Sequence, residues 1–151
     1  MNVIFARELV TVWRPSIFLA GPAPRSAEVQ SWRPEALDAL RALGFAGTVL
    51  VPEPRDWSAK LSYLNQVEWE YEGLEDCSVV AFWVPRDMQT LPGFTTNVEF
   101  GRYVGSSRCV YGRPDKAPHT KYLDWLYQKL TGQAPLNTLS AVMAAAVEAT
   151  R

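Results

Sequence analysis

The sequence has few of the residues that bind metals or form disulfide bonds. It contains one histidine, His119, and two cysteines, Cys77 and Cys109, without a CxxC or HxxxH spacing. A metal site built from such ligands is therefore not expected. Both cysteines lie in or beside apolar runs, which favours buried, reduced thiols over a disulfide bond.

Neither sign of charge dominates the chain. Fifteen Lys and Arg residues oppose sixteen Asp and Glu residues, for a net charge of -1. This balance gives no electrostatic drive for binding a nucleic acid polymer, and no apolar run approaches the length of a membrane span. The first fifteen residues lack the pattern of a signal peptide. We expect a cytoplasmic protein without a membrane partner, formed by one domain over residues 1–151.

Short apolar runs alternate with helical patterns along the chain. Four runs end in glycine or proline and read as strands buried on both faces, at 16–21, 47–52, 78–85 and 108–112. Helical spacing predicts helices in the second half of 26–45, over 62–77, after Thr96, over 120–130 and over 138–150. The alternation predicts an α/β fold, a doubly wound parallel sheet with helices on both faces.

The segments that follow the four predicted strands are the expected location of a functional site. Ligands of open α/β sheets bind beyond the carboxyl ends of the strands. These segments are rich in proline, arginine, aspartate and threonine, and they cover 21–25, 52–57, 85–97 and 112–119.

Glu99 has two interpretations. Thr96 and Glu99 have the spacing of a capping box, in which the two side chains satisfy free amides at a helix start. Alternatively, the helix start faces the ligand crevice, and its dipole keeps the Glu99 carboxylate ionised and ready to act as a nucleophile.

Glu70 also has two interpretations. It stands between two aromatic residues, whereas Glu68, Glu72 and Glu75 share a face typical of solvent exposure. An apolar setting raises the pKa of a carboxyl group, which fits either a buried, hydrogen-bonded acid or a general acid. One ionised and one protonated carboxyl group facing a crevice are the arrangement that cleaves glycosidic bonds.

Four segments in order resemble the nucleoside 2-deoxyribosyltransferase family, in particular its branch with FWVPR and TTNVEFG-like motifs. They are IFLAGPAPR, WRPEALDALRALGFAGTVLVPE, QVEWEYEGLEDCSVVAFWVPR and PGFTTNVEFGRY, within residues 16–130. The resemblance implies a flavodoxin-like sheet of about five strands. It also implies an enzyme that exchanges the base of a 2-deoxyribonucleoside through a covalent glycosyl ester, with no metal or organic cofactor.

The resemblance assigns the two carboxyl groups their roles. The E-x-G element of the family matches Glu99 and Gly101, which makes Glu99 the nucleophile. Glu70 takes the place of an aspartate that acts as the acid and base, with Glu68 as the fallback if the register shifts by two. A water acceptor would instead give a nucleoside or nucleoside 5′-monophosphate N-glycosidase, and loss of turnover would leave a non-catalytic nucleotide-binding module.

Further residues are expected to contact the substrate. Gly21 corresponds to the point where the family backbone approaches the substrate, and Arg25 is either a substrate contact or a loop anchor. Trp57 is either a ring that stacks on the base or a residue of the core or of an interface. The full set of predicted substrate contacts is Phe18, Gly21, Arg25, Trp57, Thr96 and Asn97.

The expected partners are small-molecule nucleosides and nucleobases, together with further copies of the chain. Family members are typically oligomers in which a neighbour's C-terminal segment completes each site. The aromatic residues within 119–128 suit such an interface, so a homo-oligomer is expected.

Overall fold

A five-stranded parallel sheet lies between two layers of helices. The computed structural model describes residues 1–11, 13–58 and 62–151. The strands are β1 (Asn2–Phe5), β2 (Ser16–Ala20), β3 (Thr48–Val51), β4 (Val79–Trp83) and β5 (Cys109–Gly112). The helices are α1 (Arg33–Ala42), α2 (Tyr63–Asp76), α3 (Phe94–Tyr103), α4 (Lys121–Thr131) and α5 (Leu139–Ala149). The strand order β1-β3-β2-β4-β5 and the helices on both faces give the predicted flavodoxin-like α/β fold.

Strand side chains alternate between two apolar cores. Ile17 and Leu19 of β2 point into the core that α1 and α5 cover. Phe18 and Ala20 point into the core beneath α2, α3 and α4. Every residue of β2, β3, β4 and β5 is buried, which explains why these strands appear in the sequence as continuous apolar runs.

The four predicted strands and five predicted helices are confirmed. Strand β1 was not predicted, because it is a four-residue edge strand that pairs only with β3 and is buried at a single position. Helix α3 begins at Phe94, before Thr96. No helix within the described ranges has the length and apolar character needed to cross a membrane.

Cys77 and Cys109 are both buried and free, as predicted. Burial raises the pKa of the Cys77 thiol to about 11 and that of the Cys109 thiol to about 12. Both groups are therefore neutral thiols near pH 7, with little nucleophilic character.

Glycines bring three elements close together at the carboxyl edge of the sheet. Gly21 follows β2 with φ +146°, and a Cβ atom there would lie 2.1 Å from the carbonyl oxygen of Trp83 in β4. A Cβ atom on Gly93, before α3, would lie 2.7 Å from Cγ of Pro22. Only glycine permits these approaches, so the loop after β2 packs directly against the start of α3.

Two helical glycines provide a test of how closely α2 must approach the sheet. A Cβ atom on Gly73 would lie 2.8 Å from the buried ring of Phe18, whereas one on Gly101 would meet no atom within 4 Å. We expect Gly73→Ala to lower the free energy of unfolding by about 1 to 2 kcal/mol, because the clash outweighs the gain in helix propensity. Gly101→Ala, the control, should raise it by about 1 kcal/mol in urea denaturation. Equal stabilisation by both substitutions would contradict the packing described.

Candidate active site

A cavity of about 590 Å³ opens at the carboxyl edge of the sheet, where α2 and α3 face each other. The loop after β2, Arg33 of α1, Pro52 after β3, and the facing sides of α2 and α3 form its wall. The volume suits a small-molecule ligand, and the position is the one that doubly wound sheets use for binding. Within the described residues, no group of three or more His, Cys, Asp or Glu side chains is arranged to hold a metal ion.

Glu70 and Glu99 both line this cavity. Glu70 reaches it from α2, and Glu99 reaches it from the second turn of α3. Two carboxyl groups from consecutive helices thus border one space large enough for a ligand. Glu68, the fallback for Glu70, is exposed and does not contribute to the cavity wall.

The capping-box interpretation of Glu99 is wrong. The N-cap of α3 is Gly93, in the left-handed conformation, and no side chain caps the helix. Thr96 is the third residue of the helix and Glu99 the sixth, so Glu99 lies beyond the turn in which amides are free. Capping therefore does not account for this glutamate.

Burial makes both carboxyl groups harder to ionise. It raises the pKa of Glu99 to about 7, the charge of Glu70 adds to this effect, and Arg33 opposes it. Burial also raises the pKa of Glu70, as predicted, although a hydrogen bond from Gln66 Nε2 (2.9 Å) and the charge of Arg33 oppose the change. The prediction that the helix dipole keeps Glu99 ionised is wrong, because dipole effects fade beyond the first turn. The Glu99 carboxyl group therefore keeps its proton up to about pH 7.

Arg33 is a buried cation at the base of the cavity. It is 1% exposed and pairs with the Glu53 carboxylate. Burial lowers the pKa of its guanidinium and Glu53 opposes this change, but an arginine remains charged at any ordinary pH. The guanidinium donates to three carbonyl oxygens at the end of β2, those of Leu19 (3.1 Å from Nε), Gly21 (2.9 Å from Nη2) and Pro22 (3.4 Å from Nη1).

Sequence reasoning assigned no role to Arg33 or Glu53. The feature that could have identified them is a charged side chain flanked by proline or tryptophan. Arg33 stands between tryptophan and proline at a helix start, and Glu53 stands between two prolines after a strand. Their pairing depends on β2 and β3 being neighbours in the sheet, which neither local pattern specifies.

A second cation lies at the rim of the cavity. Arg102 follows Glu99 by three residues, and its Nη2 donates to the Tyr71 hydroxyl (3.1 Å) and to Glu75 Oε1 (2.9 Å). Its guanidinium carbon also lies 4.8 Å from the centroid of the Tyr71 ring. Since these groups are about half exposed, the ion pair contributes little stability, but it holds a positive charge beside the opening.

The comparison with protein families decides what kind of domain carries this cavity. The family described as "Nucleoside 2-deoxyribosyltransferase like" matches residues 14–117. The chain belongs to the nucleoside 2-deoxyribosyltransferase-like family. The resemblance inferred from the sequence is confirmed at this level, and the matched span contains both glutamates of the cavity. The sequence has no significant match among curated proteins.

Three of the six substrate contacts predicted for this family member line the cavity: Gly21, Arg25 and Thr96. Thr96 is buried, and the Arg25 side chain is exposed. Arg25 makes no hydrogen bond or ion pair with any residue that the structure describes, so it does not serve as a loop anchor there. Its charge is available to a ligand at the mouth of the cavity.

The other three predicted contacts, Phe18, Trp57 and Asn97, lie away from the described cavity wall. Phe18 is a core side chain under α2, with its ring centroid 6.1 Å from that of Trp69. Trp57 is 40% exposed in the loop after β3. Asn97 Oδ1 accepts a hydrogen bond from Arg86, so its side chain ties α3 to the end of β4.

The raised pKa of Glu99 predicts a pH-dependent cost in stability. The folded protein holds a proton on Glu99 up to about pH 7, whereas in an unfolded chain this group has the ordinary glutamate pKa of 4.5. The unfolded state therefore gains relative stability as pH rises through this window. Glu99→Gln should be about 3 kcal/mol more stable than the wild type at pH 8 and equal to it at pH 4 in urea denaturation. An advantage that is the same at both pH values would contradict the burial of this carboxyl group.

Proposed function

We propose that this protein is a nucleoside 2-deoxyribosyltransferase that transfers 2-deoxyribose between nucleobases through a covalent bond to Glu99. The observation that carries the proposal is the pair of carboxyl groups, both with raised pKa, in one cavity of a chain from this family. Two such groups, one ionised and one protonated, provide a nucleophile and a general acid.

In the first half of the reaction, the Glu99 carboxylate attacks C1′ of the bound nucleoside. A bond forms between C1′ and a Glu99 oxygen as the bond from C1′ to the base nitrogen breaks, and the bonding electrons leave with the base. Glu70 donates a proton to the departing base. The negative charge of Glu99 beside C1′ also stabilises the positive charge that develops on the sugar in the transition state.

In the second half, a new base attacks C1′ and displaces Glu99 as a carboxylate. Glu70 takes the proton that the incoming nitrogen loses, so both carboxyl groups return to their starting states. Splitting the exchange into two displacements lets one site accept two different bases in turn.

The protonation state that this scheme needs is the singly protonated pair. Burial raises the pKa of both groups, so a proton that resides on Glu99 in the empty site must move to Glu70 before attack on C1′. The substrate favours this transfer, because the base nitrogen offers the Glu70 proton an acceptor while C1′ offers the Glu99 charge a partner.

Gly21, Arg25 and Thr96 are the substrate contacts that the cavity wall supports. The loop at Gly21 brings backbone close to the sugar, and the buried Thr96 hydroxyl lies on the same wall as Glu99. The roles of Phe18 and Asn97 are then indirect, since Phe18 supports α2 from below and Asn97 fixes α3 through Arg86.

Base exchange tests the assignment of both glutamates. Purified wild type incubated with 2′-deoxyinosine and adenine should form 2′-deoxyadenosine, measured by chromatography, and a panel of other deoxynucleosides extends the test. Glu99→Ala should lower the rate at least about a thousandfold, and Glu70→Gln about a hundredfold, as expected for loss of a nucleophile and of a general acid.

Glu68→Gln is the matched control, because it neutralises an exposed glutamate of α2 outside the cavity wall. It should retain the wild-type rate. Full activity in Glu99→Ala, or no reaction with any deoxynucleoside, would overturn the proposed chemistry and favour a non-catalytic nucleotide-binding module.

A hydrolytic N-glycosidase is the second candidate, and the exposed Arg25 favours a version that acts on nucleoside 5′-monophosphates. A cation with no partner among the described residues, at the mouth of the cavity, suits a phosphate group. Free base released from deoxynucleoside monophosphates without any acceptor, and no new nucleoside when adenine is present, would replace the transferase assignment with this one.

We further propose that the protein acts as a homo-oligomer. Tyr122 and Trp125 of α4 are 69% and 56% exposed, and their ring centroids lie 5.8 Å apart. Phe94 and Val98 at the mouth of the cavity are also exposed. Several large aromatic and apolar side chains exposed on the surface favour association with another copy of the chain.

Light scattering after gel filtration tests the oligomer. The wild type should have a mass of at least twice the 16.9 kDa of one chain. Trp125→Glu should lower this mass and reduce base exchange, because a charged group cannot replace a ring in an apolar interface. Leu9→Glu, which changes an exposed leucine outside α4, is the control and should leave the mass unchanged. A wild type with the mass of a single chain would contradict the proposal.

A further inference from the structure

Arg33 differs from the other cations of the cavity in how firmly it is held. The three carbonyl bonds and the Glu53 pair use four of the five N–H groups that a guanidinium offers. It is also almost fully buried, whereas Arg25 and Arg102 are exposed and can move into solvent. Arg33 therefore keeps a positive charge at one fixed place in the cavity wall.

The charge of Arg33 lowers the pKa of both carboxyl groups of the cavity. Arg33 lines the same cavity as Glu70 and Glu99 without a hydrogen bond to either, so its influence on them is electrostatic. Its direct partner, Glu53, is buried and is not part of the cavity wall. Glu53 thus partly cancels the charge that the glutamate pair experiences.

We propose that Arg33 is a positioning residue whose fixed charge, moderated by Glu53, sets the pH range in which the Glu70–Glu99 pair carries a single proton. The inference rests on the proposed function, in which that pair does the chemistry. Without a nearby cation, the two carboxyl groups would keep their protons to higher pH, and less of the ionised nucleophile would be present at neutral pH. With an unopposed cation, both would ionise at lower pH, and the general acid would be lost.

Other charged and titratable groups of the cavity wall are weaker candidates for this role. Arg102 is committed to Glu75 and Tyr71 at the rim, and Arg25 is solvated at the mouth. Tyr103 donates its hydroxyl proton to Glu75, and burial raises the pKa of its hydroxyl group. Within the part of the chain that the structure describes, the other charged and titratable groups that line the cavity are Arg25 from the loop after β2, Arg33 from α1, Tyr63 and Tyr71 from α2, and Arg102 and Tyr103 from α3.

The pH dependence of kcat/KM separates this electrostatic role from a merely structural one. The wild type should give a bell-shaped profile whose alkaline limb lies at about pH 7, where Glu99 ionises. Arg33→Met removes the charge and should move both limbs upward by about one pH unit. Arg33→Lys keeps the charge but not the carbonyl bonds, so it should lower kcat while its limbs stay near those of the wild type.

Glu53→Gln provides a variant with the opposite expectation. Glutamine has nearly the same shape and can still accept from Arg33, but it no longer cancels the guanidinium charge. Both limbs should therefore move downward by about one pH unit. A structural defect alone would lower the rate of all three variants without moving the limbs in opposite directions.

A measurement that needs no activity keeps the inference distinct from the proposed function. The protein would be labelled with ¹³C-carboxyl glutamate and titrated by NMR, and the Glu99 signal would be assigned by its absence in Glu99→Gln. This titration measures the ionisation of Glu99 without substrate and without catalysis. The expected midpoint is near pH 7 in the wild type, higher in Arg33→Met and lower in Glu53→Gln. An unchanged midpoint in Arg33→Met, or an upward shift in Glu53→Gln, would overturn the role of Arg33. Expected shifts without base exchange would overturn the proposed function alone.

Discussion

The buried pair of Arg33 and Glu53 is the interaction on which the site depends. It joins the start of α1, the end of β2 and the loop after β3, three elements that are distant in sequence. A buried ion pair adds little net stability, because the cost of removing both charges from water offsets their attraction. Loss of one partner is expensive, however, because an unpaired charge then remains in the interior. The pair therefore fixes the geometry of the carboxyl edge more than it strengthens the fold, and the Gly21 loop and the cavity wall are arranged around it.

Placing two carboxyl groups in one cavity lowers the free energy of unfolding, and favourable interactions elsewhere in the fold must offset this loss. Each loses water on burial, and the Glu70 charge makes ionisation of Glu99 harder still. Such a pair does not stabilise the domain, and an apolar residue in place of either glutamate would avoid the cost of burying a carboxyl group. In the proposed mechanism the same desolvation and charge repulsion are useful. A carboxyl group that ionises near neutral pH exchanges protons readily, and a desolvated carboxylate attacks carbon faster than a hydrated one.

The architecture could be predicted from the sequence because strands buried on both faces leave continuous apolar runs between helices of 3.6-residue period. Strand β1 escaped prediction, since an edge strand of four residues with one buried side chain leaves no such pattern. In the site, Glu70 and Glu99 were found by their carboxyl chemistry and by the family resemblance. The ionisation of Glu99 was misjudged, because its place in α3 depends on Gly93 starting the helix before Thr96. Arg33 was missed because its partners come from β2 and β3, and only the folded sheet brings them together.

Covalent capture of the sugar would show whether Glu99 is the nucleophile. The protein would be incubated with a 2-deoxyribonucleoside in the absence of an acceptor base, quenched in acid, digested and analysed by mass spectrometry. We expect one added 2-deoxyribosyl group on the peptide that contains Glu99, and its loss when adenine is supplied before the quench. Base release without any adduct, or an adduct on a different residue, would contradict the role of Glu99 as the nucleophile.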